Sequence, residues 1–155
     1  WCISTAPLIL NTDLGKLPSK YIDLLRNPYA IFVNQTIDSS APKFSHGNRL
    51  DPFQSPDANV PQGVWWKPLT KTMSAFLIYD SSPTKPHPPK SIKPYAQFKI
   101  VDFLTKCGVE MYTEGTTFRV LDVWSRKLVT DQTTIGPIAF SAPHDSAFYI
   151  VQSES

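Results

Sequence analysis

The chain holds few glycines, cysteines, methionines and histidines: 6, 2, 2 and 3 among 155 residues. Two thiols cannot complete a four-ligand zinc site unaided. Nothing in the spacing of Cys2 and Cys107 requires a bridge. Both read as buried apolar fillers, the common state of free cysteine. His46 and His87 lie in loop-like text, and no His-Glu-x-x-His motif occurs, so neither a metal nor a cofactor is expected. No apolar run approaches the roughly 20 residues that span a bilayer, and no membrane partner is expected. Net charge is only +2, and the lysines and arginines are scattered. Nucleic-acid binders carry a clustered basic face, so no nucleic acid is expected either.

Proline, by contrast, is abundant, with 15 residues. Proline breaks helices and collects at turns and strand edges. Together with scarce glycine it points to a β-rich region with rigid loops. A hydrophobic share of 41% and a charged share of 18% are those of a globular chain. The length fits one ordinary domain, or a small domain with a piece of another attached. The text opens at Trp1-Cys-Ile inside an apolar stretch, which reads as a break within a longer protein.

Three regions follow one another. Residues 1–36 suggest the end of a helix, a buried strand at Leu8-Ile9-Leu10, a short helix from Pro18-Ser19 to Asn27-Pro28, and a second buried strand at Tyr29-Ala-Ile-Phe-Val33. That is a piece of an α/β layer and not a self-sufficient domain. Residues 37–63, rich in Pro, Ser, Asp and Asn, read as a long surface excursion. Residues 64–155 read as an antiparallel β-sandwich. Its expected strands are Val64–Lys67 and Ser74–Tyr79 around a Pro68–Thr72 turn, then Phe98–Val101, Thr117–Trp124, Ile138–Ser141 and Ala147–Val151. A proline-rich tract, Pro83 to Pro94, interrupts them.

The candidate chemistry is sparse. A glycosidase needs two carboxyl groups, about 5 Å apart when configuration is retained, and the 13 acidic residues contain no promising pair. Asp13 follows an apolar strand-like run, where a barrel would place a catalytic group, but an N-cap or loop role is favoured. His144-Asp145-Ser146 holds the three residue types of a hydrolytic triad. Sequence neighbours cannot converge as nucleophile, base and orienting acid, so a turn is the better reading. Trp65, Trp66 and Trp124 could stack on sugars. Alternation along a strand sends Trp65 and Trp66 to opposite faces, and burial in a core or interface is favoured for them. Asn34-Gln-Thr36 fits the N-glycosylation sequon, directly after a segment expected to be buried.

Five stretches carry a resemblance. Trp1-Cys-Ile-Ser-Thr-Ala-Pro-Leu-Ile-Leu-Asn-Thr-Asp-Leu14, Leu24-Leu-Arg-Asn-Pro-Tyr-Ala-Ile-Phe-Val-Asn-Gln35, Val64-Trp-Trp-Lys-Pro-Leu69, Leu121-Asp-Val-Trp124 and Ala142-Pro-His144 occur in this order. Together they resemble family 27 glycoside hydrolases of the α-galactosidase kind. The resemblance implies the final βα piece of a (β/α)8 barrel followed by a C-terminal antiparallel β-sandwich. It implies an intact enzyme that removes terminal α-linked galactose with retention, secreted or lysosomal. Its Asp pair would lie on barrel strands that this chain lacks, so no catalytic residue is assigned here and a structural role is expected. Two departures stand out: Thr36 occupies the place of the family's acid after Asn-Gln, and the 37–63 excursion is long for the family. The competing expectations are a carbohydrate-binding β-sandwich module and a catalytically inactive homologue.

Overall fold

The structure, a computed structural model, describes residues 2–10, 12–36, 48–50, 62–80, 96–138, 140 and 145–154. A 3-10 turn, Leu14–Lys16, precedes helices α1 (Ser19–Leu25) and α2 (Pro28–Gln35). Then come strands β1 (Asn48–Leu50), β2 (Gln62–Thr70), β3 (Met73–Asp80) and β4 (Ala96–Lys99), and helix α3 (Ile100–Lys106). Strands β5 (Phe118–Asp122), β6 (Lys127–Gln132), β7 (Thr134–Ile138) and β8 (Ser146–Ser153) complete the chain. Six strands form one sheet in the order β1-β2-β3-β8-β5-β6, and β4 pairs with β7 in a second. All pairings are antiparallel, so the expected β-sandwich is present.

Alternation along the strands divides the large sheet into two apolar faces. Val64, Trp66, Phe76, Ile78, Phe118 and Val151 point one way, onto Phe98 and Ile135 of the small sheet and Ile100, Phe103 and Leu104 of α3. Leu69, Ala75, Phe148 and Ile150 point the other way, onto Ile3 and onto Ala30 and Val33 of α2. The middle of the large sheet is therefore covered on both sides. This explains why β3 and β8 read as near-continuous apolar runs and not as alternating ones.

The hairpin forms with longer strands than expected. Thr70 pairs with Met73, leaving Lys71-Thr72 as the turn, and Pro68 lies within β2 opposite Ser74. Part of the 37–63 excursion is a strand: β1 pairs Asn48 with Trp66 and Leu50 with Val64. Gln62-Gly63 of the excursion open β2; its residues 37–47 and 51–61, and the Pro83–Pro94 tract, lie outside the described residues.

Three expected strands are corrected. Tyr29–Val33 is helical, because Asn27 accepts hydrogen bonds from the Tyr29 N–H at 3.0 Å and the Ala30 N–H at 3.3 Å, with Pro28 in the first turn. Asn-Pro therefore starts a helix here. Leu8–Leu10 forms no strand and is exposed. Ile100-Val101 begins α3, whose Ile100, Phe103 and Leu104 recur at helical spacing and are all buried. Gly108, at φ +81°, ends α3. Its N–H bonds Thr105 O, and the Val109 N–H bonds Leu104 O, both at 2.9 Å, the Schellman arrangement that favours glycine. Of Ile138–Ser141, only Ile138 lies in a strand among the described residues, and β6 was not foreseen at all.

Phe103 is fully buried, with ring centroids 5.3 Å from Phe76 and 4.8 Å from Phe98. Phe103→Ala should destabilise the chain by about 3–5 kcal/mol, read from the midpoint of denaturant unfolding. A loss under about 1 kcal/mol would mean that this layer can collapse into the gap.

Candidate functional site

The most constrained polar chemistry among the described residues is where α2 meets the sheet. Lys67 projects from β2 onto the α2 face and is fully buried. Its ammonium donates to Val33 O and, at 3.4 Å, to Asn34 O. These carbonyls belong to the last turn of α2, where no intrahelical donor remains and the helix dipole favours a cation. Burial pushes the Lys67 ammonium below the usual lysine range. Cys2 opposes that shift only as a thiolate, and burial raises the Cys2 thiol.

The other end of α2 is also tied to the sandwich. Asn27, 3% exposed, caps the helix with its carbonyl and donates its amide N–H to Val123 O at 2.7 Å. The Val123 N–H donates in turn to Phe148 O of β8 at 2.8 Å. Asn34 donates its side-chain amide to Ala6 O at 2.9 Å, joining the leading segment to α2.

The remaining candidates take structural positions. Asp13 accepts from the Gly15 N–H at 3.0 Å and lies 3.5 Å from Lys16, so it caps the 3-10 turn. Asp145 accepts from the Ser146 N–H at 2.9 Å, a turn contact; His144, His46 and His87 lie outside the described residues. Trp66 is buried in the inner core. Trp65 packs half-buried on the α2 side. Trp124 is 38% exposed, its ring centroid 5.4 Å from that of Phe148. The three tryptophans do not share a platform: Trp66 faces the inner core, whereas Trp65 and Phe148 belong to the α2 side.

Both cysteines are free. Cys2 packs on the α2 side of the large sheet and Cys107 on the other. Among the described residues no group of three or more His, Cys, Asp or Glu side chains could hold a metal ion, and no helix is long and apolar enough to cross a membrane.

A second polar feature had no signal in the sequence. Asp122, Lys127, Gln132 and Tyr149 surround an open cleft of about 180 Å³ between the end of β5 and Gly136-Pro137 of β7. Its residues come from four strands, so no local motif marks it.

Apolar exposure is concentrated in the leading segment. Nine of the thirteen exposed large hydrophobics among the described residues lie between Leu8 and Phe32, with Ile9 at 82%. The sandwich side of α2 is buried, whereas Tyr29 and Phe32 on its far side are open.

No protein-family model matches the sequence, and comparison with curated proteins finds no match. Solved structures do match. α-Galactosidase I from Mortierella vinacea is 16% identical with a TM-score of 0.67, covering 100% of this chain and 34% of its own. A Bacteroides fragilis protein assigned as an α-galactosidase is 13% identical with a TM-score of 0.62, covering 97% of this chain and 26% of its own. A Bacillus halodurans protein assigned as an α-N-acetylgalactosaminidase is 16% identical with a TM-score of 0.55, covering 98% and 30%.

Two outcomes follow from the buried groups. Lys67→Met keeps the length of the side chain and removes the donor. It should cost about 1–3 kcal/mol, the usual penalty for stranding buried polar groups, and speed amide exchange in α2 before the central strands; equal α2 exchange in the parent chain and in Lys67→Met would count against the tie. Burial pushes the Cys107 thiol up to about 12 from 9.0. A raised folded-state value gives stability that is full below pH 9.0 and lost as pH climbs toward about 12. Unfolding midpoints across that window should fall less steeply in Cys107→Ala than in the parent chain.

At these identities the likeness speaks to fold: over nearly its whole length this chain has the fold of a part of α-galactosidase-type glycosidases, and it spans about a quarter to a third of the chains it matches.

Proposed function

We propose that this chain is the C-terminal part of a retaining glycoside hydrolase that removes terminal α-linked galactose. Within that enzyme it plays a structural role, without the catalytic carboxylate pair. The observation that carries this reading is the match of essentially the entire chain to a fraction of three glycosidase chains. Residues 1–36, helical and without a strand where described, are then the closing end of a (β/α)8 barrel, 37–63 an excursion that lends β1 and the start of β2 to the large sheet, and 64–155 the rest of the sandwich domain.

The apolar surface of the leading segment supports the same reading. Leu8, Ile9, Leu10, Leu24 and Leu25 are exposed on it. Burying a fully exposed Leu or Ile gains roughly 1.5–3 kcal/mol, of which each of these partly open side chains forgoes a share, and apolar exposure on this scale is what an interface covers. The upstream barrel is the proposed cover. α2 would then be shared, with Ala30 and Val33 on the sandwich and Tyr29 and Phe32 on the barrel. Lys67 and Asn27 would fix the sandwich against the catalytic domain. The substrates of the intact enzyme would be terminal α-galactosides, with no cofactor, in a secreted or lysosomal setting.

Residues 1–155 alone should leave a chromogenic α-galactoside intact. The protein extended upstream by about 250 residues, a typical barrel length, should hydrolyse it with retention. Turnover by the 155-residue chain, or a folded extended protein with no turnover, would overturn the reading.

A further inference from the structure

Apart from the buried Ser74 and Ser153, paired with Val151 and Phe118 of the inner core, the inner face of the large sheet is apolar until one corner, where charged side chains stand on it. Asp122 pairs with Tyr149 of β8 on one side and with Lys127 of β6 on the other. Cross-strand partners share a face. Asp122 also lies two residues beyond Val120, which belongs to the inner core. The row Tyr149–Asp122–Lys127 therefore stands on the face that forms the core elsewhere. The cleft of about 180 Å³ opens there, between this row and Gly136-Pro137, over the apolar side chains of Val120 and Ile135. A carboxylate on a core face works against stability unless it is hydrogen-bonded, and a break in apolar patterning of this kind is where function is expected.

Its chemistry narrows the ligand. One Asp122 oxygen accepts from the Trp124 and Ser125 N–H groups, at 2.9 and 3.1 Å. That fixes the carboxylate and leaves acceptor sites on it, since a carboxylate has about four. Lys127 supplies donors. Tyr149 supplies a hydroxyl that can donate or accept, and burial, with the Asp122 charge adding to it, raises its phenol and keeps it protonated. One carboxylate and one ammonium leave no net charge to select an ion of either sign. Paired donors and acceptors above an apolar floor suit a neutral ring with hydroxyls at its edge and C–H groups on its face. The volume falls below the ~300–1,000 Å³ of drug-sized pockets, which limits the ligand to one ring.

We propose that the Tyr149–Asp122–Lys127 cleft binds a single neutral pyranose unit. The site stands on its own residues; the choice of a galactoside as probe rests on the proposed glycosidase reading.

Titration of the isotope-labelled 155-residue chain with methyl α-galactoside tests it, with sorbitol as an acyclic polyol control and backbone amide shifts as the readout. Saturable shifts confined to residues 120–137 and 147–151, absent with sorbitol, are expected. Lys127→Met and Tyr149→Phe should each weaken binding about tenfold, the effect of losing one good hydrogen bond, with the spectrum otherwise unchanged. Shifts that never saturate, that fall elsewhere, or that persist unchanged in both variants overturn the site. An equal response to sorbitol overturns the pyranose assignment. The hydrolysis assay decides the glycosidase reading separately, so failure here leaves that reading standing.

Discussion

A buried ammonium holds this structure together. Lys67 reaches from the middle of β2 to the last carbonyls of α2 and has no exposure to water. A lysine in such a place is costly by desolvation, and its low-shifted ionisation expresses that cost. The carbonyl oxygens of a helix C-terminus offset it, because they would otherwise be stranded in the same dry interface. Each group thus removes the other's penalty. Asn27 repeats the logic at the opposite end of the helix, satisfying two orphan N–H groups and a strand carbonyl with one side chain. With both ends fixed, α2 becomes a layer of the sandwich and not a loose preface to it.

That arrangement gives α2 two unlike sides. Its inner side is dry and bonded, and its outer side, with Tyr29 and Phe32, adds to the exposed apolar residues of the leading segment. A helix that is apolar all round is normally buried all round. The likeness to chains roughly three to four times as long supplies a reason for the uncovered half, and the proposed barrel supplies the missing cover.

Much of the sandwich was legible in the sequence, because Val64–Lys67, Ser74–Tyr79, Thr117–Trp124 and Ala147–Val151 are rich in strand-forming side chains. The helices were less so, for two different reasons. In α2 the run Ala-Ile-Phe-Val favours strand locally. The Asn27-Pro28 cap that starts the helix is local, but what holds the Asn27 side chain in that role is also a bond to Val123, 96 positions away, which no window of sequence contains. In α3 the helical spacing was present, but seven residues are too few to outweigh Phe98, Ile100 and Val101 read as a strand. β6 was missed because its side chains are mostly exposed, so it has no apolar face to betray it. The role of Lys67 was hidden as well: next to two tryptophans and a proline it looks like a surface cation, and its partners exist only after folding. The cleft row was invisible for the same reason, since Tyr149, Asp122 and Lys127 meet only through strand pairing.

The placement of Lys67 also fixes how β2 can pair. Both faces of the large sheet are apolar, so hydrophobicity alone would barely discriminate between β2 in its native alignment and β2 slid by one position. Most of its residues would find greasy surroundings either way. Lysine breaks that degeneracy. A one-residue slip turns every side chain over and would drive the ammonium among Phe76, Phe98 and Phe103, far from any carbonyl of α2. One misplaced charge would thus penalise the whole alternative alignment, so a sheet buttered on both sides still has a single way to zip.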